Sequence, residues 1–488
     1  MMQDWLAERA QITPNRAALF TQTESISYQT LNRRVAELCG RLAAAGVSPG
    51  DRVAALLTPG LFYATLVHAA ARLQATLAPL NARLTHAEIT RQLGRTRPRL
   101  LLVDEDFASI GSALSLPDLV IRRTDELPAG APVWQPPCPW SLDATQAILF
   151  TSGTSGEPKG AQISFANHFW SAMASAERLG AEPEDRWLSC LPLYHVGGLA
   201  VLFRACLTGT AAILHPRFDV DAFHHAIDSQ AVTGTSVVPT MLQRLLATRT
   251  APWPQTLRTV LLGGAAAAPE LMAEARRQAL PVATTYGMTE ACSQIATAPP
   301  ALAQIKPGTA GKPLFPLAVR ILNEKGEKLE AGEIGEIAVR GPTVMQGYLD
   351  DPAATRRALP DGELRTGDMG YLDAEGDLWP VQRRSDLIVS GGENIYPAEV
   401  ENALAGHPAV ARSCVVGLPH AEWGEQVAAL VELHPDAQVT SDELLGYIKE
   451  RLASYKRPRI IRFTDALPQT ASGKVARRAV AEILRADL

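Results

Sequence analysis

The 488-residue sequence predicts an α/β fold in two parts. A large amino-terminal domain over residues 1–383 consists of sheets flanked by helices and ends in a β-rich subdomain at about 315–383; a small α+β domain covers 384–488. Three observations carry this prediction. Short aliphatic or β-branched runs alternate with Ala/Leu/Arg stretches of helical period through the first half. After about residue 315 the texture changes to short strands joined by Gly-rich turns. The last hundred residues then carry an alternation of strands and helices of their own.

In chain order, DRVAALL from Asp51, RLLLVD from Arg99 and QAILF from Gln146 read as buried strands between helical stretches. The Pro-rich segment from Pro128 to Trp140 reads as an ordered connector whose tryptophans seek burial. RTVLLGG (258–264) is a strand, Pro269 stands where a helix can start, residues 270–279 form that helix, and PVATTY (281–286) is the next strand. This makes a β-α-β unit with GMTE at its carboxyl end, the place where open sheets of this kind collect ligands. EKGEKLEAGEIGEIAVRGPTV (324–344) and GYLDAEGDLWPV (370–381) supply the β-rich subdomain. Beyond a join near 382–386, the pattern gives a helix at 397–405, strands near 410–417 and 427–433, a helix at 441–452, a strand near 459–464 and a final helix from about Val475.

Composition narrows the function. With 47% hydrophobic and 20% charged residues and a net charge of −5, the chain fits neither a disordered nor a nucleic-acid-binding class. Its six cysteines are far apart and form no CxxC pair, so reduced thiols and a cytoplasmic setting are expected. The first residues lack a basic stretch followed by an apolar core, so no signal peptide is expected. Apolar stretches are interrupted by Pro59, Gly60, His68 and Arg204 before reaching the roughly 20 residues of a membrane helix. Of 46 basic residues only eight are lysines, the first of them Lys159. A lysine in such a chain marks a place that uses a slim point charge.

The strongest local signal is TSGTSGEPKG, residues 151–160, directly after the strand QAILF. Thr151, Ser152, Thr154 and Ser155 offer hydroxyls, Gly153 and Gly156 let the backbone approach closely, and Lys159 adds a cation, which together suit a phosphate. A Walker A loop is excluded, because counted from Gly153 the second Gly is replaced by Pro158 and the Ser/Thr by Gly160. Further on, Glu290 is an acid at a strand end beside Thr289, Tyr286 offers a flat apolar face to a purine, and Gly263 with Gly264 lets a ring lie on backbone. Asp368 next to Gly367 suits a pair of ribose hydroxyls or, equally, a simple turn. Core packing competes for Tyr286, a plain packed histidine for His195, and a snorkelling rim cation for Arg204.

With this loop the chain resembles the adenylate-forming superfamily of acyl-CoA synthetases, adenylation domains and luciferases. The resemblance continues in order through LPLYHVGG (191–198), LLGGAAAAP (261–269), TYGMTE (285–290), RTGDMG (365–370), QRRSDLIVSGGENIYPAEVE (382–401) and LPQTASGKVARR (467–478). It implies ATP, Mg²⁺ and coenzyme A as the small molecules handled. Thr151 to Ser155, Lys159, Gly263, Gly264, Tyr286, Gly287, Met288, Asp368 and Arg383 would then hold the nucleotide, Thr289 would bond the α-phosphate, and Glu290 would ligate the metal. Lys474 would be the catalytic cation on the α-phosphate and the attacking carboxylate, and His195 would stand at the mouth of the acyl pocket. The small domain would be mobile, rotating so that Lys474 leaves and the loop Gly391, Gly392, Glu393 lines a pantetheine tunnel. Where many relatives carry an Asp at the pivot this chain has Ser385.

Three stretches resemble more narrowly the o-succinylbenzoate–CoA ligases of menaquinone biosynthesis: 167–205, TYGMTEACSQIAT (285–297) and GKPLFPLAVRI (311–321). Such an acid carries a second carboxylate, so a basic residue in an apolar pocket is required. Arg204, which interrupts the apolar run GGLAVLFRACLTGTAAIL, is the first candidate clamp and Arg83 another; Ser293 and Gln294 would line the same pocket. The alternatives are an aryl or medium-chain fatty acyl-CoA ligase, an adenylation enzyme that loads a carrier protein, and a non-catalytic nucleotide-binding relative. The expected partners are thus a small carboxylic acid and coenzyme A, with no nucleic acid and no membrane span; a homo-oligomer is compatible with the sequence.

Overall fold

The computed structural model of the chain describes all residues except 1–3, 138, 152–157, 383–386, 436, 470–474 and 487–488. The chain divides into two compact units. One comprises Met1–Leu80, Arg95–Leu149 and Gly160–Gln382, the other Asn81–Gly94, Phe150–Lys159 and Arg383–Leu488.

The large unit contains two sheets of the α/β type, as expected. The first has eight strands in the order Ser293–Ala298, Val282–Met288, Thr259–Leu262, Gly234–Val237, Arg186–Ser189, Ala211–Leu214, Ala17–Phe20 and Ser25–Ser27. Its six inner strands are parallel and its two edge strands antiparallel. Ala211–Leu214, Gly234–Val237 and Thr259–Leu262 are buried at every residue, which is why they read as unbroken runs rather than as alternation. The second sheet has seven strands: Gly347–Tyr348, Lys159–Ser164, Thr145–Thr151, Thr76–Pro79, Arg52–Leu56, Leu100–Val103 and Val120–Arg123. The expected β-rich part is a four-stranded antiparallel sheet of Ala318–Leu322, Gly335–Arg340, Leu364–Leu372 and Leu378–Gln382.

An aromatic cluster lies in the largest core. Trp5 stands edge-on to Trp140, Phe165 and Phe203 at centroid separations of 5.4 to 5.8 Å. Of the two tryptophans of the Pro-rich connector, Trp140 is buried as expected, but Trp134 is 49% exposed, because only the connector's end reaches this cluster. Beside the cluster the carboxylate of Asp4 accepts the N–H groups of Leu6 and Ala7, capping helix Trp5–Ile12, and pairs at 2.5 Å with Nε of Arg72, a fully buried side chain. Arg72 also donates to the Asn32 side chain. Burial pushes the neighbouring His68 down to about 4, which keeps it neutral at physiological pH. Five cysteines, 39, 190, 206, 292 and 414, are buried and form no disulfide. Burial raises all five thiols, Cys39, Cys190 and Cys292 to about 12 and Cys414 to about 11. Among the described residues no helix is long and apolar enough to cross a membrane.

In the small unit a sheet of Glu393–Ile395, Ile388–Ser390, Gly424–Leu433 and Val410–His420 is joined by Ile460–Thr464, parallel to Gly424–Leu433. Helices Pro397–Ala405, Ser441–Lys449 and Arg477–Arg485 complete it. The helix predicted at 441–452 stops at Lys449 but starts as expected, at a Thr440–Glu443 capping box. The final helix begins at Arg477, two residues after the predicted start.

The segment 81–94 belongs to this unit through a buried charge cluster. Lys456 Nζ lies 2.6 Å from Glu88 and 2.7 Å from Glu399, all three nearly inaccessible. One ammonium cannot neutralise two buried carboxylates, and burial raises the Glu399 carboxyl above its ordinary 4.5. Among the described residues its Oε2 has no hydrogen-bond partner. A raised carboxyl binds its proton more readily in the folded than in the unfolded state. Its stabilisation is therefore present below pH 4.5 and lost as pH rises through the higher folded value. The stability difference between Glu399→Gln and wild type is expected to grow in favour of the variant from pH 4 to pH 8, read as the melting temperature across that range. A variant that loses ground as pH rises would contradict this.

Candidate active site

Four neighbouring parallel strands deliver the predicted site residues from their carboxyl ends. Arg186–Ser189 leads to His195, Gly234–Val237 to the helix starting at Pro239, Thr259–Leu262 to Gly263 and Gly264, and Val282–Met288 to Thr289 and Glu290. This is the edge at which parallel sheets present ligand-binding loops.

The strand Val282–Met288 turns sharply into Ser293–Ala298 through a short 3₁₀ turn, Thr289–Ala291. Cys292 and Ser293 take positive φ values of 50° and 99°. The turn is held from outside: Ser171 Oγ donates to the Cys292 carbonyl at 2.6 Å, and Cys292 Sγ lies 3.7 Å from Nδ1 of the buried His168. At Gly287 the returning strand passes so close that a Cβ would sit 1.8 Å from the Ser293 carbonyl oxygen, so glycine is required. The consequence is a hairpin that presents Tyr286 and Glu290 while burying each to 7% exposure.

Two contacts join motifs that are remote in sequence. Tyr286 Oη donates to Asp368 Oδ2 at 2.8 Å, bringing together the residues read as the purine face and the ribose acceptor. Tyr348 Oη donates to Glu290 Oε1 at 2.9 Å. Tyr348 was not among the residues expected from sequence. Its only signal is a Gly-Tyr pair after the β-rich segment, and no spacing rule links it to a residue 58 positions earlier.

Of the phosphate-loop residues, Thr151 ends one strand and Lys159 opens the next, with Thr151 Oγ1 3.5 Å from the Lys159 carbonyl. Ser152, Gly153, Thr154 and Ser155 lie outside the described residues, as do Arg383, Ser385 and Lys474. His195 occupies the N-cap of helix Val196–Thr208, its carbonyl accepting from Gly198 and Leu199 at 3.1 Å and its ring 4.6 Å from that of Tyr194.

Arg204 lies on the same helix as His195, about 13 Å further along its axis at 1.5 Å per residue. Its guanidinium lies over the Trp187 ring, 3.8 Å from the centroid, and Nη1 donates to Ser175 at 2.8 Å. Nη2 is buried and has no hydrogen-bond partner among the described residues. A small cavity lined by Ser175, Asp185, Trp187, Val201 and Arg204 adjoins it. Burial pushes Arg204 down to about 10, leaving it cationic at neutral pH.

Gln294 is turned back on its own strand, Nε2 donating to Thr297 at 2.9 Å, while the neighbouring Ser293 is partly exposed. Arg83 belongs to the small unit, where it pairs at 3.1 Å with Glu393 and lies over Tyr455 at 4.6 Å. Gly391 and Gly392 form the turn before Glu393 with φ of 59° and 85°.

Comparison with known proteins agrees with this arrangement. The family described as AMP-binding enzyme matches residues 6–349, and the AMP-binding enzyme C-terminal domain matches residues 399–474. The chain is 42% identical over 474 residues to 2-succinylbenzoate–CoA ligase of Bacillus licheniformis, covering 97% of this chain and 98% of that protein. A structure of a double mutant of o-succinylbenzoate CoA synthetase from Bacillus subtilis with a product analogue has 41% identity, covers 99% of this chain and 98% of its own, and superposes with a TM-score of 0.94. The Bacillus subtilis enzyme in complex with ATP and magnesium ion has 40% identity, covers 98% and 99% of the two chains, and gives a TM-score of 0.75. On its motifs, its fold and these matches, the chain belongs to the AMP-binding enzyme family.

Proposed function

We propose that the chain is an ATP-dependent acid–thiol ligase that joins o-succinylbenzoate to coenzyme A, as in menaquinone biosynthesis. The observation that carries the choice of acid is Arg204, a buried cation with Nη2 unpartnered among the described residues, beside a small cavity. An unmet buried N–H costs stability, and a second substrate carboxylate would supply its acceptor. The full-length similarity to 2-succinylbenzoate–CoA ligase supports the same reading.

The chemistry runs in two displacements. A carboxylate oxygen of the acid attacks the α-phosphorus of ATP, the bond between the α- and β-phosphates breaks, and pyrophosphate leaves. The thiol sulfur then attacks the acyl carbon, the acyl–oxygen bond breaks, AMP leaves with the electron pair, and the thiol proton passes to solvent. Tyr286 and Asp368, already hydrogen-bonded, would hold adenosine, and Lys159 with the loop hydroxyls would hold phosphates. Lys474 would meet the charge that develops on the α-phosphate. Thr289 would bond the α-phosphate, and the hard oxygen donors of the Glu290 carboxylate fit Mg²⁺, which typically takes one or two carboxylates and completes its shell with phosphate oxygens and water. When bound, the ion would neutralise pyrophosphate charge.

The test compares o-succinylbenzoate with 4-oxo-4-phenylbutanoate, which keeps the reacting succinyl carboxylate and lacks the ring carboxylate. Coenzyme A-dependent thioester formation is expected to favour the diacid, and Arg204→Ala should reduce that preference roughly 10²-fold, the worth of a hydrogen bond to a charged group. Equal loss on both acids would remove Arg204 from substrate recognition. Turnover of benzoate or octanoate in place of either would overturn the choice of acid and leave the adenylating chemistry standing.

A further inference from the structure

The strand Gly347–Tyr348 touches both the strand Lys159–Ser164 and the Glu290 turn. Its backbone pairs antiparallel with Lys159–Ser164, Gly347 opposite Gln162 and Tyr348 opposite Ala161. Leu349 N donates to the Gly160 carbonyl at 2.8 Å, so the segment is tied to the residue that follows the phosphate-loop lysine. The same segment grips Glu290 twice. Met345 N donates to the Glu290 carbonyl at 2.8 Å, and Tyr348 Oη donates to its side-chain Oε1 at 2.9 Å. Tyr348 is itself fixed, since its N–H donates to Thr355 Oγ1 at 2.9 Å. Gly347, at φ 146°, lets the chain pass Thr355, where a Cβ would come within 2.7 Å of the threonine methyl.

We infer that Tyr348 is a positioning residue for the metal: it orients the Glu290 carboxylate toward the cation. The inference rests on the nucleotide chemistry proposed above and is independent of which acid is used. A phenol donating to one carboxylate oxygen restricts the rotation of the group. Mg²⁺ demands near-ideal octahedral geometry, so a carboxylate free to rotate binds it less well. Outer contacts that orient a metal ligand are typically worth 10–100-fold in metal affinity.

The experiment measures binding of a fluorescent, non-hydrolysable ATP analogue with and without Mg²⁺, in wild type, Tyr348→Phe, Glu290→Gln and the double variant. Tyr348→Phe removes one oxygen, and its melting temperature serves as the check on folding. Metal-free nucleotide affinity is expected to be unchanged, and the Mg²⁺ concentration needed for half-maximal tightening to rise roughly 10–100-fold. In the Glu290→Gln background the same change should add nothing further, because the tyrosine acts through that carboxylate. The inference is overturned if Tyr348→Phe titrates with Mg²⁺ like wild type, if it weakens metal-free binding equally, or if the two substitutions add independently. Wild-type protein that fails to bind the nucleotide at all would overturn both this inference and the proposed function; binding without turnover of any acid would overturn only the latter.

Discussion

Lys474→Ala is expected to slow pyrophosphate release from ATP and the acid by roughly 10²–10³, the usual cost of losing a charge-stabilising donor at the reacting centre. The lysine lies outside the described residues, and the described residues on either side of it are anchored. Leu467 N donates to Glu432, Gln469 bridges Val475, and Ala476 N donates to the Pro468 carbonyl at 2.8 Å. Arg477 pairs with Glu401 at 2.8 Å and donates to the Val415 carbonyl at 2.7 Å. With both flanks anchored, the loss from removing this one side chain is expected to fall on chemistry. Thioester formation from a supplied acyl-adenylate and coenzyme A should stay within a few-fold of wild type, because the lysine's charge is needed where the anhydride forms. Equal losses in both half-reactions would show that Lys474 acts on structure, and a loss below about tenfold in the first would remove it from the catalytic step.

Asp4→Ala is expected to destabilise the large unit by about 3–5 kcal/mol, measured by urea denaturation. The substitution strips the buried Arg72 of its carboxylate and removes the cap of helix Trp5–Ile12 together. Asp4→Asn separates the two effects. It retains a capping oxygen, worth about 1 kcal/mol, and loses the charge, so it should recover only the smaller part. Full recovery in Asp4→Asn would mean that the ion pair contributes little and that Arg72 is satisfied by Asn32 and the backbone.

How much of this was legible depended on the range over which each feature is encoded. Strands such as Thr259–Leu262 and the helix starting at Pro269 could be read because apolar runs and a proline at a helix start are local signals. The nucleotide residues could be read as motifs, and two of those motifs, Gly263–Gly264 and Thr289–Glu290, follow neighbouring parallel strands. The partners of those residues could not. Tyr348 reaches Glu290 across 58 positions, and Trp187 and Ser175 cage Arg204 from other elements. Arg83 could be read as a candidate clamp but not as a partner of Glu393, 310 residues away, and segment 81–94 gave no sign that it packs with the carboxy-terminal residues. Side-chain pairing of this kind is set by packing, which one-dimensional periodicity does not carry.

The buried cysteines acquire a chemical meaning from the reaction. An acyl-adenylate is a mixed anhydride that any thiolate nearby could intercept, and the nucleophile is the thiolate rather than the thiol. Cys39, Cys190, Cys206, Cys292 and Cys414 are all inaccessible and all held protonated at neutral pH. Cys292 is only two residues from Glu290, and even there the sulfur faces His168 inside the core. Self-acylation at these five sulfurs is thereby suppressed.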